Sequence, residues 1–152
     1  MTLELQGVSR VVGGRVHIYP TSLTLQKGTM NVLLGPTLSG KTSLMRLMAG
    51  LIAPTAGTVR VDGLDPARNR RALLTRLGIL FQNPDHQLIF PTVLEEMAFG
   101  LRQRRMPNDE VGERVQAILQ RLDLSGQADA HPLDLHAGQR RMVALASLAV
   151  LQ

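Results

Sequence analysis

Eight residues, Gly35, Pro36, Thr37, Leu38, Ser39, Gly40, Lys41 and Thr42, follow the spacing GxxxxGK[ST]. Each residue type in that spacing answers one need of a bound phosphate chain. Gly35 and Gly40 let the backbone bend until successive N–H groups point inward, where they join the positive end of the following helix dipole. Lys41 adds a point charge for the β and γ phosphates. Thr42 offers a hydroxyl to Mg2+, which takes oxygen ligands in octahedral geometry and bridges the phosphates. Together with Ser43, these residues are expected to hold ATP. A chance glycine-rich turn would match the same pattern, but this one follows an apolar run and opens a helical one, as the chemistry requires.

The elements around the loop can be read from periodicity. Leu3, Leu5 and Val8 begin a strand, Gly13-Gly14 turns the chain, and Val16 and Ile18 start a second strand that Leu23 and Leu25 continue. Residues 30–34, apolar but for Asn31, predict a strand buried on both faces, and residues 77–81 predict another. Leu44, Leu47 and Met48 at helical spacing predict a helix from Lys41 to Ala49, stopped by Gly50. Residues 58–61 form a short strand between turn signals. Val111, Val115, Ile118, Leu119 and Leu122 share one face of an amphipathic helix. A last helix, from about Gly138, is apolar nearly all round and so predicts burial on several sides.

Composition narrows the function classes. A chain of 152 residues with 44% hydrophobic and 19% charged residues can build one globular core, so a single domain spanning 1–152 is expected. It contains no cysteine, which excludes disulfides and thiolate metal sites and fits a reducing, cytoplasmic setting. The start, Met1 to Gln6, lacks a secretory h-region, and no apolar stretch approaches the roughly 20 residues that span a bilayer. Membrane association is therefore expected through a partner. The net charge of +5 and the arginines at 68, 70, 71, 102, 104, 105, 140 and 141 invite a nucleic-acid reading. Against it, Tyr19, Phe81, Phe90 and Phe99 are too few and scattered for base stacking, so no nucleic-acid partner is expected.

Three ordered segments carry a family resemblance: residues 32–49, then Leu80-Phe81-Gln82-Asn83-Pro84, then Leu135-His136-Ala137-Gly138-Gln139-Arg140-Arg141. They resemble the P-loop, Q-loop and LSGGQ signature of ABC transporter ATP-binding subunits. Residues 81–100 are especially similar to cobalt and energy-coupling-factor importers, and residues 34–51 to polyol or sugar importers. The resemblance implies an α/β P-loop NTPase core with an antiparallel β part near the N-terminus and a helical insertion at about 84–132. It implies ATP and Mg2+ as cofactors, with Thr42 and Gln82 at the metal and Gln82 also at the attacking water. Its implied partners are transmembrane subunits docking beside Gln82, at the inner face of the membrane, and a second ATP-binding subunit packed head to tail. The γ-phosphate held by that second subunit would meet His136, Gly138 and Gln139.

The chain also departs from the family. The first-strand aromatic that stacks on adenine is missing from residues 9–14, leaving Tyr19 as a substitute from elsewhere. His136 replaces the signature serine and Ala137 its first glycine. His136 is read either as a pH-sensitive cation at the trans contact or, more simply, as a surface histidine. No apolar run followed by Asp-Glu occurs in the 152 residues, so the chain is expected to stop before the Walker B strand and to bind ATP while hydrolysing it poorly. The buried side chains of that strand are worth roughly 1.5–3 kcal/mol each, against about 5–15 kcal/mol for a whole domain. A marginal fold or an open sheet edge is the expected consequence. Two rivals are a nucleotide-binding regulatory module without turnover and a small P-loop kinase using residues 100–106 as a lid.

Overall fold

The computed structural model describes residues 2–73 and 76–151. The chain divides into two compact units, Met1–Leu77 and Gly78–Gln152.

The first unit is built on an antiparallel hairpin. β1 (Leu3–Val12) turns through Gly13 and Gly14, both at positive φ, into β2 (Arg15–Leu25), and β3 (Ala56–Val61) pairs along the other side of β1. Leu3 stands opposite Leu25 and Val61, and Leu5 opposite Leu23 and Val59, so the period-two alternation puts one apolar set on a single face. α1 (Lys41–Met48) lays Leu44, Leu47 and Met48 into that core, which Ile18 and Leu73 of the short α2 (Arg70–Leu73) complete. Gly57 is required where β3 begins: its φ is +82°, and a Cβ there would stand 2.3 Å from the Gly7 carbonyl oxygen. At the far end of β3, Asp62 accepts the Thr2 N–H at 2.7 Å. That bond, with help from the Arg76 guanidinium, holds its carboxyl below the ordinary value.

The two largely apolar runs do not form the strands expected of them. Residues 30–34 carry no ladder, with Met30, Val32 and Leu34 exposed to 94%, 71% and 84%, and residues 77–81 likewise remain unpaired. A strand buried on both faces exists only between other strands. Among the described residues the sheet holds β2, β1 and β3 alone. The apolar pattern is present, but its neighbours are not.

The second unit is helical. α3 (Val93–Gln103), α4 (Asn108–Arg121) and α5 (Ala137–Ala149) enclose a core of Val93, Met97, Leu101, Val115, Leu119 and Val143, with short 3-10 turns at Pro84–His86, Ser125–Gln127 and Pro132–Asp134. Full burial of a side chain such as Leu101 or Leu119 is worth roughly 1.5–3 kcal/mol. α4 buries the face predicted from its spacing: Val111, Val115 and Leu119 inside, Ile118 partly so. α5 is covered on one side only, since Val143, Ala144 and Ala146 are buried while Met142 and Leu145 face outward. Thr92 starts α3 as its N-cap, accepting the Glu95 N–H at 3.1 Å.

Candidate functional site

The glycine-rich loop closes on its own lysine. Lys41 Nζ donates to the carbonyl oxygens of Gly35 at 2.8 Å and Pro36 at 2.6 Å and lies 3.3 Å from Ser39 Oγ. One ammonium therefore gathers both ends of the loop, at the first residue of α1. Gly40 precedes it at φ +88°, and a Cβ there would lie 3.0 Å from the His17 carbonyl oxygen, so β2 backs directly against the turn. A Cβ at Gly35 would meet Ser39 Oγ at 2.9 Å. Leu38 adopts φ +68°, a region unfavourable for a branched residue, and its side chain is 98% exposed. The helix start has no side-chain cap and no acidic residue in its first turn, which leaves the amides of Lys41, Thr42 and Ser43 to an outside acceptor.

These groups line an open depression of about 580 Å3 together with Arg15, Val16 and His17. Its lining holds Arg15, Lys41, hydroxyls and loop amides but no carboxylate, which suits an anion. Thr37, Leu38, Ser39, Thr42 and Ser43 all reach this one depression, as their spacing requires. Arg15 and His17 escaped the sequence reading, although their place just after the Gly13-Gly14 turn marks them as residues of a strand end. Tyr19 lines a second, adjoining hollow of about 360 Å3 that shares Ser39, Gly40 and Lys41. Among the described residues no group of three His, Asp or Glu side chains could hold a metal ion.

Gln82, His136, Gly138 and Gln139 belong to the second unit. Gln82 is exposed in a bend whose flanks are pinned: Phe81 N–H donates to Gln87 Oε1 at 2.7 Å, and Asn83 Oδ1 accepts from Asp85 N–H at 3.1 Å. His136 is the N-cap of α5. Its Nδ1 accepts the Gln139 N–H at 3.2 Å, and Gln139 Oε1 accepts the His136 N–H at 3.3 Å, a reciprocal capping box. Gly138 makes room for the ring, since a Cβ there would stand 3.2 Å from His136 Cε1 and Nδ1. The histidine is thus a surface residue that holds a helix end in place. For that, Nδ1 must carry a lone pair, and a protonated ring could not cap the helix. His136→Ala is expected to cost about 1 kcal/mol of stability, whereas His136→Ser keeps the acceptor and stays near the parent. Urea unfolding of the two variants checks this, and equal midpoints for both would remove the capping role.

A glycine-rich loop between a β part and a helix, with lysine at the helix start, defines the P-loop class of nucleotide-binding folds. Residues 18–152 match the ABC transporter family, and the chain belongs to that family. It is 39% identical over 151 residues to an ABC transporter ATP-binding protein of Deinococcus radiodurans, covering 99% of this chain and 66% of that one. It is 41% identical over 135 residues to the energy-coupling factor transporter ATP-binding protein EcfA2 of Symbiobacterium thermophilum, covering 86% of this chain and 47% of that protein. Among solved structures it is similar to cbiO1 of Clostridium perfringens, part of the ABC transporter complex cbiONQ, with a TM-score of 0.85 and 26% identity over 98% of this chain and 61% of that one. The chain therefore spans between about half and two thirds of the length of these proteins. Family membership sets aside the small-kinase reading. Among the described residues no helix is long and apolar enough to cross a membrane.

Proposed function

We propose that this chain is the nucleotide-binding part of an ABC importer's ATP-binding subunit, of the energy-coupling or metal-ion kind. It holds Mg·ATP at residues 35–43, docks a transmembrane subunit beside Gln82 at the inner face of the membrane, and offers residues 136–139 to the nucleotide of a second copy packed head to tail. The observation that carries this reading is the Lys41 ammonium at the centre of the loop, facing a depression without carboxylates. In this reading the Lys41 charge and the amides of the first turn of α1 bind and orient the phosphates. The chemistry Mg2+ would supply at this site is neutralisation of the phosphate charge. Thr42 would bring the ion one oxygen ligand from residues 35–43, and Gln82 is the second ligand that the family resemblance implies. The remaining ligands are left to phosphate and water, which suits an ion that keeps several waters.

The lining of the depression binds and orients, but it contains no carboxylate to take a proton from water. The proposal is therefore binding with little turnover by the 152 residues themselves. Calorimetric titration with Mg·ATP, followed by phosphate release on the same sample, tests both halves. Saturable binding without release is expected. Absence of binding would overturn the site, and steady turnover would overturn the expectation that hydrolysis needs a carboxylate the depression lacks.

A further inference from the structure

One ion pair joins the turn after Gln82 to the start of α5. Arg140 Nε lies 2.8 Å from Asp85 Oδ1, with the two side chains 23% and 40% exposed. Nε itself is buried and not aligned for a hydrogen bond, so the contact is one of charge. The other arm of the guanidinium, Nη1, donates to the carbonyl oxygens of Leu133 and Leu135, which lead into the His136 cap. Arginine suits this position because its rigid fork serves two directions at once, which a lysine ammonium cannot do.

Both ends of the pair are stiff. On one side, Gln87 bonds Phe81 N–H through Oε1 and the Ile79 carbonyl through Nε2 at 3.1 Å, while Asn83 caps Asp85. The bend that carries Gln82 is thereby closed into a hydrogen-bonded ring, and the Asp85 carboxylate is its tie to α5. On the other side, Arg140 sits one residue beyond the reciprocal capping box of His136 and Gln139. We infer that Arg140 is a positioning residue: with Asp85 it links the Gln82 loop to the N-terminal turn of α5, so that a load on the loop is passed to residues 136–139. This rests on the function proposed above, in which the loop meets a transmembrane partner and residues 136–139 meet nucleotide. Coupling between two such segments is reciprocal, so loosening either one must loosen the other.

NMR hydrogen exchange on the 152-residue chain without nucleotide tests the link and leaves the binding titration as an independent trial of the function. The reporters are the amides of Gln87 and Leu88, bonded to the Pro84 carbonyl, and those of Gln139 and Arg140, bonded to His136. Asp85→Asn is expected to speed exchange at Gln139 and Arg140 by about 10-fold, and Arg140→Gln to do the same at Gln87 and Leu88. Asp85→Glu, which keeps the carboxylate, should exchange like the parent. The double variant should behave like Arg140→Gln alone, because that substitution already removes the ion pair along with the bonds to Leu133 and Leu135. Amides of β1 and β3 provide the unchanged reference, and Asp85→Asn, which preserves side-chain shape, guards against loss of the fold. Exchange that changes only in the substituted segment, or effects that simply add, would overturn the link.

Discussion

Lys41→Ala is expected to weaken Mg·ATP binding by at least about 100-fold, or about 2.7 kcal/mol. Two losses combine. The variant removes the one ammonium in the depression, and hydrogen bonds to charged groups are worth about 1.5–3 kcal/mol each. It also removes the brace that draws the carbonyls of Gly35 and Pro36 together with Ser39 Oγ, so the loop must be ordered anew when ligand arrives. Lys41→Arg separates the two. It keeps the charge, but a planar fork cannot sit on the same three acceptors, so an intermediate loss of about 10-fold is expected. Calorimetric titration of both variants beside the parent decides the matter. Unchanged affinity in Lys41→Ala would take the phosphates away from this loop altogether, whereas equal, large losses in both variants would put the weight on geometry rather than charge. Because Lys41 contributes no buried side chain to the core, circular dichroism should show the parent fold in each case.

The loop was legible because its chemistry is local. Eight consecutive residues carry the whole pattern, and the hairpin, β3, α1 and α4 were equally readable from alternation or from helical spacing. The strands assigned to residues 30–34 and 77–81 were not, because an apolar run states only that a segment wants two covered faces. Whether it obtains them depends on neighbouring strands, and among the described residues none lies in the sheet beyond β2, β1 and β3. The fold reading was therefore right in class, while two inner strands failed for lack of partners. At the α5 cap, the departure of His136 from the usual serine was visible in the sequence, but its role was not. An imidazole Nδ1 can replace a hydroxyl oxygen as acceptor, and only the capping geometry shows that it does so here. Asp85 and Arg140 each lie in a segment that carries the family resemblance, but their pairing was not legible, since the two charges meet only after α3, α4 and the turns between have folded.

The same limit applies to Glu96, whose replacement is expected to have the largest effect on stability in the second unit. Two adjacent glutamates in the first turn of α3 look alike in sequence and favour a helix start through its dipole. In the fold Glu96 is buried to 8% exposure, and its Oε2 accepts the N–H groups of Ile89 at 2.7 Å and Phe90 at 2.9 Å. The carboxylate thus folds residues 88–90 back against α3 and sets the Phe90 ring 4.7 Å from that of Phe99. Glu96→Leu keeps the apolar contacts but leaves both amides without an acceptor, at a cost of about 3 kcal/mol, a large share of the roughly 5–15 kcal/mol that holds a domain together. Glu96→Gln retains one neutral acceptor oxygen and should lose about 1 kcal/mol. Urea midpoints, read with amide exchange at Ile89 and Phe90, check both values. A leucine variant as stable as the parent would mean that the apolar contacts alone hold residues 88–90 in place. A loss confined to those two amides, with the midpoint unchanged, would mean that the carboxylate orders the segment after Gln82 without supporting the core of the unit.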